Sequence, residues 1–453
     1  MTTELAALPL PPGRFGPPYF GESLALLRNP FAFVEDRHRR YGPVFKSRIL
    51  GPKVAFLTGL DGAAAFYDDD AISREHAHPA PLLDLFGGRN MELLDGERHR
   101  RLKTVTLASV DADALAHYLP DLQRLFERRL AEWGEAGEVE AGVELRTLAI
   151  EAICLNFLGL EPGPVTAAIT RDYGQLLDGL VSPPAPLPGT PYRRAQKARD
   201  RLLATIRGVI AERRAAPASG NDGLSRLLAA RTADGWGCSD EEAALEVHHV
   251  VLAGFIVCGL LAEVVRRLPE SPDVARRCRA EVAEHASPHA GPLTIDALRR
   301  MTTATTVVME AKRAVPLVPL AFGRARRDLT FAGCRIPAGW RVYLSLRVSN
   351  LDPAVFADPH RFEPDRFGPA RAEHLSHPLA FIPQGTGPPL GHLCLGWDYS
   401  SIVVLAFLAV LVGRYQWDVP AQDFTLRFDT LPPAHRDGLK VCLRPRESAG
   451  PPN

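Results

Sequence analysis

Cys394 stands near the end of the stretch Phe381-Ile382-Pro383-Gln384-Gly385-Thr386-Gly387-Pro388-Pro389-Leu390-Gly391-His392-Leu393-Cys394-Leu395-Gly396, a loop dense in glycine and proline that runs into an apolar helical pattern from Leu395 to Val412. A sulfur at a helix N-terminus is favoured as thiolate, the form that ligates metals, and the N–H groups of such a loop can hydrogen-bond it. Taken alone, the residue reads equally as an inert core thiol, the usual state of buried cysteine. Glu310-Ala311-Lys312-Arg313 sets a carboxylate three residues from a guanidinium, a spacing that surface helices also carry by chance. His248 and His249 lie in an apolar helical stretch, where a satisfied core or surface role is expected before a catalytic one.

These groups need a scaffold, and the hydrophobic pattern supplies one. Ser239 to Glu242 has the form of a capping box and Pro269 supplies a stop, which predicts one helix of about 28 residues, apolar nearly all round in its middle. Such a helix passes through the core of a large domain. A second helix is predicted from Ile295 to Arg313, with Thr294 as its N-cap and Pro316 and Pro319 beyond it. Leu24 to Tyr41 reads as helix, Val44 to Ile49 and Lys53 to Thr58 as a hairpin, and Leu329 to Ile336 and Arg341 to Leu346 as short strands. Glu97 to Arg213 is largely helical, broken by the proline-rich run Ser182 to Gly189, an exposed loop that is either a lid or a plain connector. The expected architecture is mainly α with small β-sheets, one large domain over residues 1–453, β-rich at about 40–60 and completed by a C-terminal part at about 295–445.

Of the 453 residues, 46% are hydrophobic and 23% charged, the profile of a folded chain with a sizeable core. The 53 basic residues balance the 53 acidic ones, which speaks against nucleic acid or an anionic membrane as the main partner. Val250 to Ala262, the most apolar run, is too short to cross a bilayer, and Met1 to Pro12 lacks the basic and apolar regions of a signal peptide. Seven scattered cysteines without a CxxC pair suit a reducing compartment, so a cytoplasmic location is expected. The richness in Ala, Pro and Arg is that of a GC-rich bacterium.

The cysteine loop resembles that of the cytochrome P-450 superfamily, F-x-x-G-x-G-x-x-x-C-x-G, with three residues (Pro388, Pro389, Leu390) between Gly387 and Gly391 and with His392 where the family commonly has Arg. The Pro-Gln-Gly-x-Gly form with His two before Cys is similar to the fatty-acid peroxygenase branch. Glu310 to Arg313 matches E-x-x-R, and Phe362-Glu363-Pro364-Asp365-Arg366-Phe367 matches F-x-P-x-R-F, so the marks span nearly the whole chain. The resemblance implies the cytochrome P-450 fold and haem b, with Cys394 as its iron ligand. It also implies haem contacts from His99, Lys103, Arg324, Phe381 (packing near the thiolate), His392 and Gly396. Glu310, Arg313 and Arg366 would form a buried charge cluster, which survives burial only when every charge is paired.

In the family the central helix carries A-G-x-[D/E]-T; here the acid and the alcohol align with Ile256 and Val257. Reductive activation of dioxygen needs protons passed along water that polar side chains hold in place. Two aliphatic residues donate nothing and dry the groove. One reading is therefore an oxidant or substrate that arrives already activated, with an O–O or N–O bond: peroxide, or nitrene-type transfer similar to the haem-thiolate chemistry of benzastatin-type indoline formation. The fatty-acid peroxygenases, however, place an arginine on this helix, and none lies between Val247 and Val265. The alternatives are a conventional dioxygen-dependent monooxygenase and a non-catalytic haem-binding protein.

By the same resemblance, the pocket lies among Leu82, Leu85 and Phe86, the helix residues Ala253, Gly254, Ile256 and Val257, and the turn residues Val318 and Leu320. Gly254 would remove a side chain where the helix passes the porphyrin, and Phe255 would sit in the core. Apolar walls call for a hydrophobic small molecule, in keeping with an oxidoreductase of bacterial secondary metabolism. The monooxygenase reading implies ferredoxin and ferredoxin reductase as partners, since no reductase module is recognised in the chain. Arg100, Arg101 and Lys103 form either their docking face or a merely solvated one.

Overall fold

Val44–Arg48 and Lys53–Leu57 pair antiparallel across the Leu50-Gly51-Pro52 turn, with Phe45 opposite Phe56 and their rings stacked at 4.8 Å. Aromatic and β-branched side chains fill the pleat on the buried face. The second strand runs parallel to Arg341–Ser345, which pairs antiparallel with Leu320–Ala325, and Ile72–Ser73 closes the edge of this five-stranded sheet. Chain segments nearly 300 residues apart thus meet in one sheet, and that sheet brings the turn at Val318 to Leu320 over the same cavity as the segment from Leu82 to Phe86.

The computed structural model describes residues 7–216, 220–286, 291–316 and 318–446, so residues 1–6 of the N-terminal segment, and the termini of the expected domain span, lie outside the described residues. The rest is mainly helical. The largest core cluster joins Ala112–Ala136, Ala141–Leu158, Cys258–Arg267 and Trp397–Arg414, the last buried without a break from Val403 to Val412. Two helical stretches, residues 240–270 and Trp397–Arg414, are long and apolar enough to cross a membrane, but two thirds of each is buried inside the fold. A small three-stranded sheet unites Glu138–Glu140, Lys440–Pro445 and Tyr415–Asp418.

Four expected elements are divided. The central helix runs as Asp240–Phe255 and Cys258–Arg267; around Ile256 and Val257 the ladder tightens to i→i−3 bonds, Val257 N–H to Gly254 O at 3.2 Å and Gly259 N–H to Ile256 O at 3.0 Å. Two β-branched residues between Gly254 and Gly259 sit at this point, and a short 3₁₀ stretch within a helix is a common mark of a functional site. Its capping box forms as expected, Ser239 Oγ accepting from Glu242 N–H and Glu242 Oε2 from Ser239 N–H. Leu24 to Tyr41 splits at Asn29, whose extended backbone and side-chain cap on Ala32 N–H start a new helix at Pro30. Ile295 to Arg313 splits at Met301. Leu329 to Ile336 is a hairpin, because Ala332 and Gly333 both take positive φ. The cysteine helix starts at Trp397, two residues later than the apolar pattern indicates.

Candidate active site

The cysteine loop is shaped by backbone hydrogen bonds. Gln384 O accepts the N–H of Cys394 at 3.1 Å, and Gly385 (φ +84) turns so tightly that a Cβ there would come 3.1 Å from His392 O. The inserted Pro388, Pro389 and Leu390 bulge outward, closed by Gly391 N–H to Pro388 O at 2.8 Å, so the extra length is taken up in solvent and the sulfur keeps its place. Gln384 Nε2 points at Cys394 Sγ at 3.5 Å, and Gly396 N–H also hydrogen-bonds the sulfur. Burial nevertheless pushes the thiol up, outweighing Gly396, Lys312, Lys103 and Gln384, which all pull it down. Desolvation of the buried sulfur thus outweighs the helix start and the loop N–H groups, and a cation bound to the sulfur is what makes thiolate the favoured form.

Cys394 opens onto a cavity of about 480 Å³. Leu82, Leu85 and Phe86 line it, as do Val318 and Leu320 and, from the central helix, Ala253, Gly254, Ile256 and Val257. Phe255 is core. Gly254 has a packing reason as well: the space left by its missing side chain is filled by Ile153 of Ala141–Leu158.

His99, Lys103, His392 and Gly396 also line the cavity. The rings of His99 and His392 lie 4.4 Å apart, tilted by 32°; burial, aided by nearby cations, lowers them to about 4 and about 3 respectively. Lys103 donates to the carbonyls of Gly391 and Leu393, and burial brings its ammonium down to about 8. Phe381 stands behind the loop with its ring edge-on to Phe367 at 5.0 Å and Trp397 at 5.8 Å; the side chain that reaches the sulfur is Gln384.

Arg324 stands apart from these residues: it lies exposed near the end of Leu320–Ala325, on the strand face of Leu320 and Phe322, and does not line the cavity. The buried guanidinium at the cavity is that of Arg74: it lies 4.1 Å over the Phe66 ring, lines the cavity, and leaves Nη1 without a partner among the described residues. Gly323 lets it pass, since a Cβ there would come 3.2 Å from Nη1. Sequence reasoning missed Arg74 because Ile72-Ser73-Arg74-Glu75 carries no spacing signal; the pairing of Ile72–Ser73 with Arg324 and Ala325 puts it there.

Glu310 is fully buried and receives Arg313 Nε and Nη2 at 2.7 Å each and Arg366 Nε at 3.3 Å. Both arginines spend their remaining donors on backbone carbonyls and Glu373, so the cluster is paired throughout. Lys312 on the same helix donates to Trp397 O at 3.0 Å and Ser401 Oγ at 2.8 Å, bracing the start of the cysteine helix.

The residues fit a haem. Among the described residues no group of three or more His, Cys, Asp and Glu is placed to hold a metal ion, so Cys394 suits a metal carried by a cofactor. A wall of two cations, Arg74 and Lys103, beside the neutral imidazoles of His99 and His392 suits the cofactor's carboxylates, and the orphaned Nη1 of Arg74 calls for an acceptor.

A family model for cytochrome P450 matches residues 11–441. The putative cytochrome P450 120 of Synechocystis is 29% identical over 97% of this chain and 98% of its own, and ent-kaurenoic acid oxidase 1 of Arabidopsis thaliana is 31% identical over 90% and 85%. The solved structure of retinoic acid-bound cyanobacterial CYP120A1 superposes with a TM-score of 0.90 at 28% identity, covering 97% of this chain and all of the other. Cytochrome P450EX alpha (CYP152N1) with myristic acid gives 0.78 at 25% identity, covering 97% of this chain and all of that one. The chain belongs to the cytochrome P450 family, a haem-thiolate monooxygenase class of enzymes whose members bind haem b through a cysteine thiolate.

Proposed function

We propose that this cytochrome P450 ligates its iron through Cys394 and acts on a hydrophobic small molecule with a donor that arrives already activated, bearing an O–O or N–O bond. One observation carries this reading: Ile256 and Val257 line the cavity at the interrupted turn of the central helix, and from Val250 to Cys258 that helix has no oxygen-bearing side chain. Bound haem would supply an iron centre into which the Cys394 thiolate would donate electron density. The chain's part is to seat the sulfur, orient the substrate against apolar walls and exclude water, which protects an activated donor from hydrolysis. His99, Lys103, His392 and Arg74 hold the cofactor's carboxylates, and Gly396 supports the sulfur. The likeness of the cysteine loop to the peroxygenase branch supports a peroxide, and the aliphatic groove equally admits nitrene-type transfer from an N–O ester, as in bacterial secondary metabolism in the cytoplasm.

The names of several relatives favour a second reading. Abscisic acid 8'-hydroxylase 4 of Arabidopsis thaliana is 27% identical over 96% of this chain, and a conventional hydroxylation would call on ferredoxin and ferredoxin reductase. An assay under argon separates the two. Haem-loaded protein given hydrogen peroxide or an N-acyloxy amine should form product without dioxygen, and a blank there, with product only from NAD(P)H, ferredoxin and air, selects the second. The ferrous–carbon monoxide band of a thiolate haem should vanish in Cys394→Ala; if it persists, the ligand is another residue.

A further inference from the structure

We propose that Glu92, braced by His78 and His249, is the polar anchor of this cavity and takes the protonated amine of a hydrophobic small molecule. The inference rests on the reading of the cavity as the substrate site. Glu92 Oε1 lies 3.1 Å from His78 Nε2, and Oε2 lies 3.2 Å from His249 Nε2. His249 comes from the central helix, one turn before Ala253, and His78 from the segment beyond the five-stranded sheet. Asn90 Oδ1 accepts the N–H of Glu92 at 3.1 Å and fixes the backbone of this short turn.

Glu92 sits deep in the molecule, yet 42% of its side-chain surface is open, and the cavity is what it lines. Among the described residues it is the cavity's only acidic side chain, and none of its ion-pair partners is a lysine or arginine. Oε1 has the His78 hydrogen bond and Oε2 has the His249 ring 3.2 Å away, but a carboxylate offers about four acceptor sites, so room remains for a further donor from the cavity. Burial works to raise Glu92, but the His78 hydrogen bond and the field of His249 hold it down at about 2, while burial pushes the neighbouring Glu246 up to about 8. The negative charge of this wall therefore belongs to Glu92, in apolar surroundings that strengthen its pull on a cation and its repulsion of an anion. That sets the chain apart from relatives named for carboxylic acids.

The experiment is equilibrium dialysis of the haem-loaded protein at about pH 7.5, where a primary amine is protonated, against dodecylammonium, dodecanol and dodecanoate. Dodecylammonium should bind about 10- to 100-fold more tightly than dodecanoate, as one charge-assisted hydrogen bond allows. Glu92→Gln should abolish that preference and leave dodecanol affinity unchanged within about threefold. The proposal is overturned if wild type binds dodecanoate as tightly, if Glu92→Gln keeps the preference, or if the amine gives the Soret shift of nitrogen bound to iron. The wild-type ranking stands without any variant, and an absent thiolate–carbon monoxide band would sink the iron-ligand reading while leaving this ranking to judge Glu92.

Discussion

A methyl group built on Gly254 would come within 2.6 Å of both Cδ1 and Cγ1 of Ile153. The central helix and Ala141–Leu158 therefore touch backbone to side chain at the point where the central helix meets the cavity. Gly254→Ala should cost about 1–3 kcal/mol by overpacking. In a cycle with Ile153→Ala the two changes should compensate by about 1 kcal/mol or more, measured by urea unfolding. Strict additivity would show that the contact is relieved by a simple rotamer change.

Glu310 and Arg366 are both fully buried. Arg366→Leu strands the carboxylate with one guanidinium and should cost about 3–5 kcal/mol, read as a fall in the urea midpoint. A loss below about 1 kcal/mol would mean that water reaches the site.

Folded Glu246 keeps its proton until about pH 8, because burial raises it from an ordinary value of 4.5, with Glu242 and Glu92 adding repulsion. The folded state then binds more protons than the unfolded one between those values, so stability falls as pH rises through that window. Gln can still accept the Met91 N–H that Glu246 receives at 2.6 Å. Glu246→Gln should therefore flatten the pH profile and recover on the order of 3 kcal/mol at about pH 8. An unchanged slope would place the titration elsewhere.

Arg74 and Arg324 make opposite forecasts. Arg74→Leu should weaken haem retention about tenfold or more, followed by transfer to apomyoglobin, because it removes a buried donor. Arg324→Leu should leave retention unaltered, being exposed. Equal losses would return the sheet arginine to the site.

Ile256→Asp with Val257→Thr restores an acid and a hydroxyl where the cavity now has aliphatic carbon. With ferredoxin, reductase and NAD(P)H, dioxygen consumption should rise about tenfold or more, the lower range of acid–base catalysis. No change would show that the dryness of the groove is not what limits the reaction.

What the sequence disclosed, and what it hid, follow from the range of the forces involved. Cys394, Glu310, Arg313 and Arg366 stand in motifs whose spacing is local, and the apolar residues around Ala253 and Leu85 announce burial by themselves. Helix interruptions at Asn29 and Met301 escaped because apolar periodicity continues across them. Arg74, Glu92 and His78 escaped for a stronger reason: each is polar, carries no periodic or motif signal, and gains its place through strand pairing, a loop contact 14 residues long or a helix more than a hundred residues away. His249 was visible as a residue but not as a partner, since its twin His248 turns the other way, to Tyr173 at 3.1 Å.

The carboxylate of Glu310 joins a helix to a stretch of chain 56 residues further on, through Arg366. Releasing either end would leave a bare ion in a dry interior, so the layer beneath the cysteine loop has no cheap partly opened form. It should hold whole under heat and then give way at once.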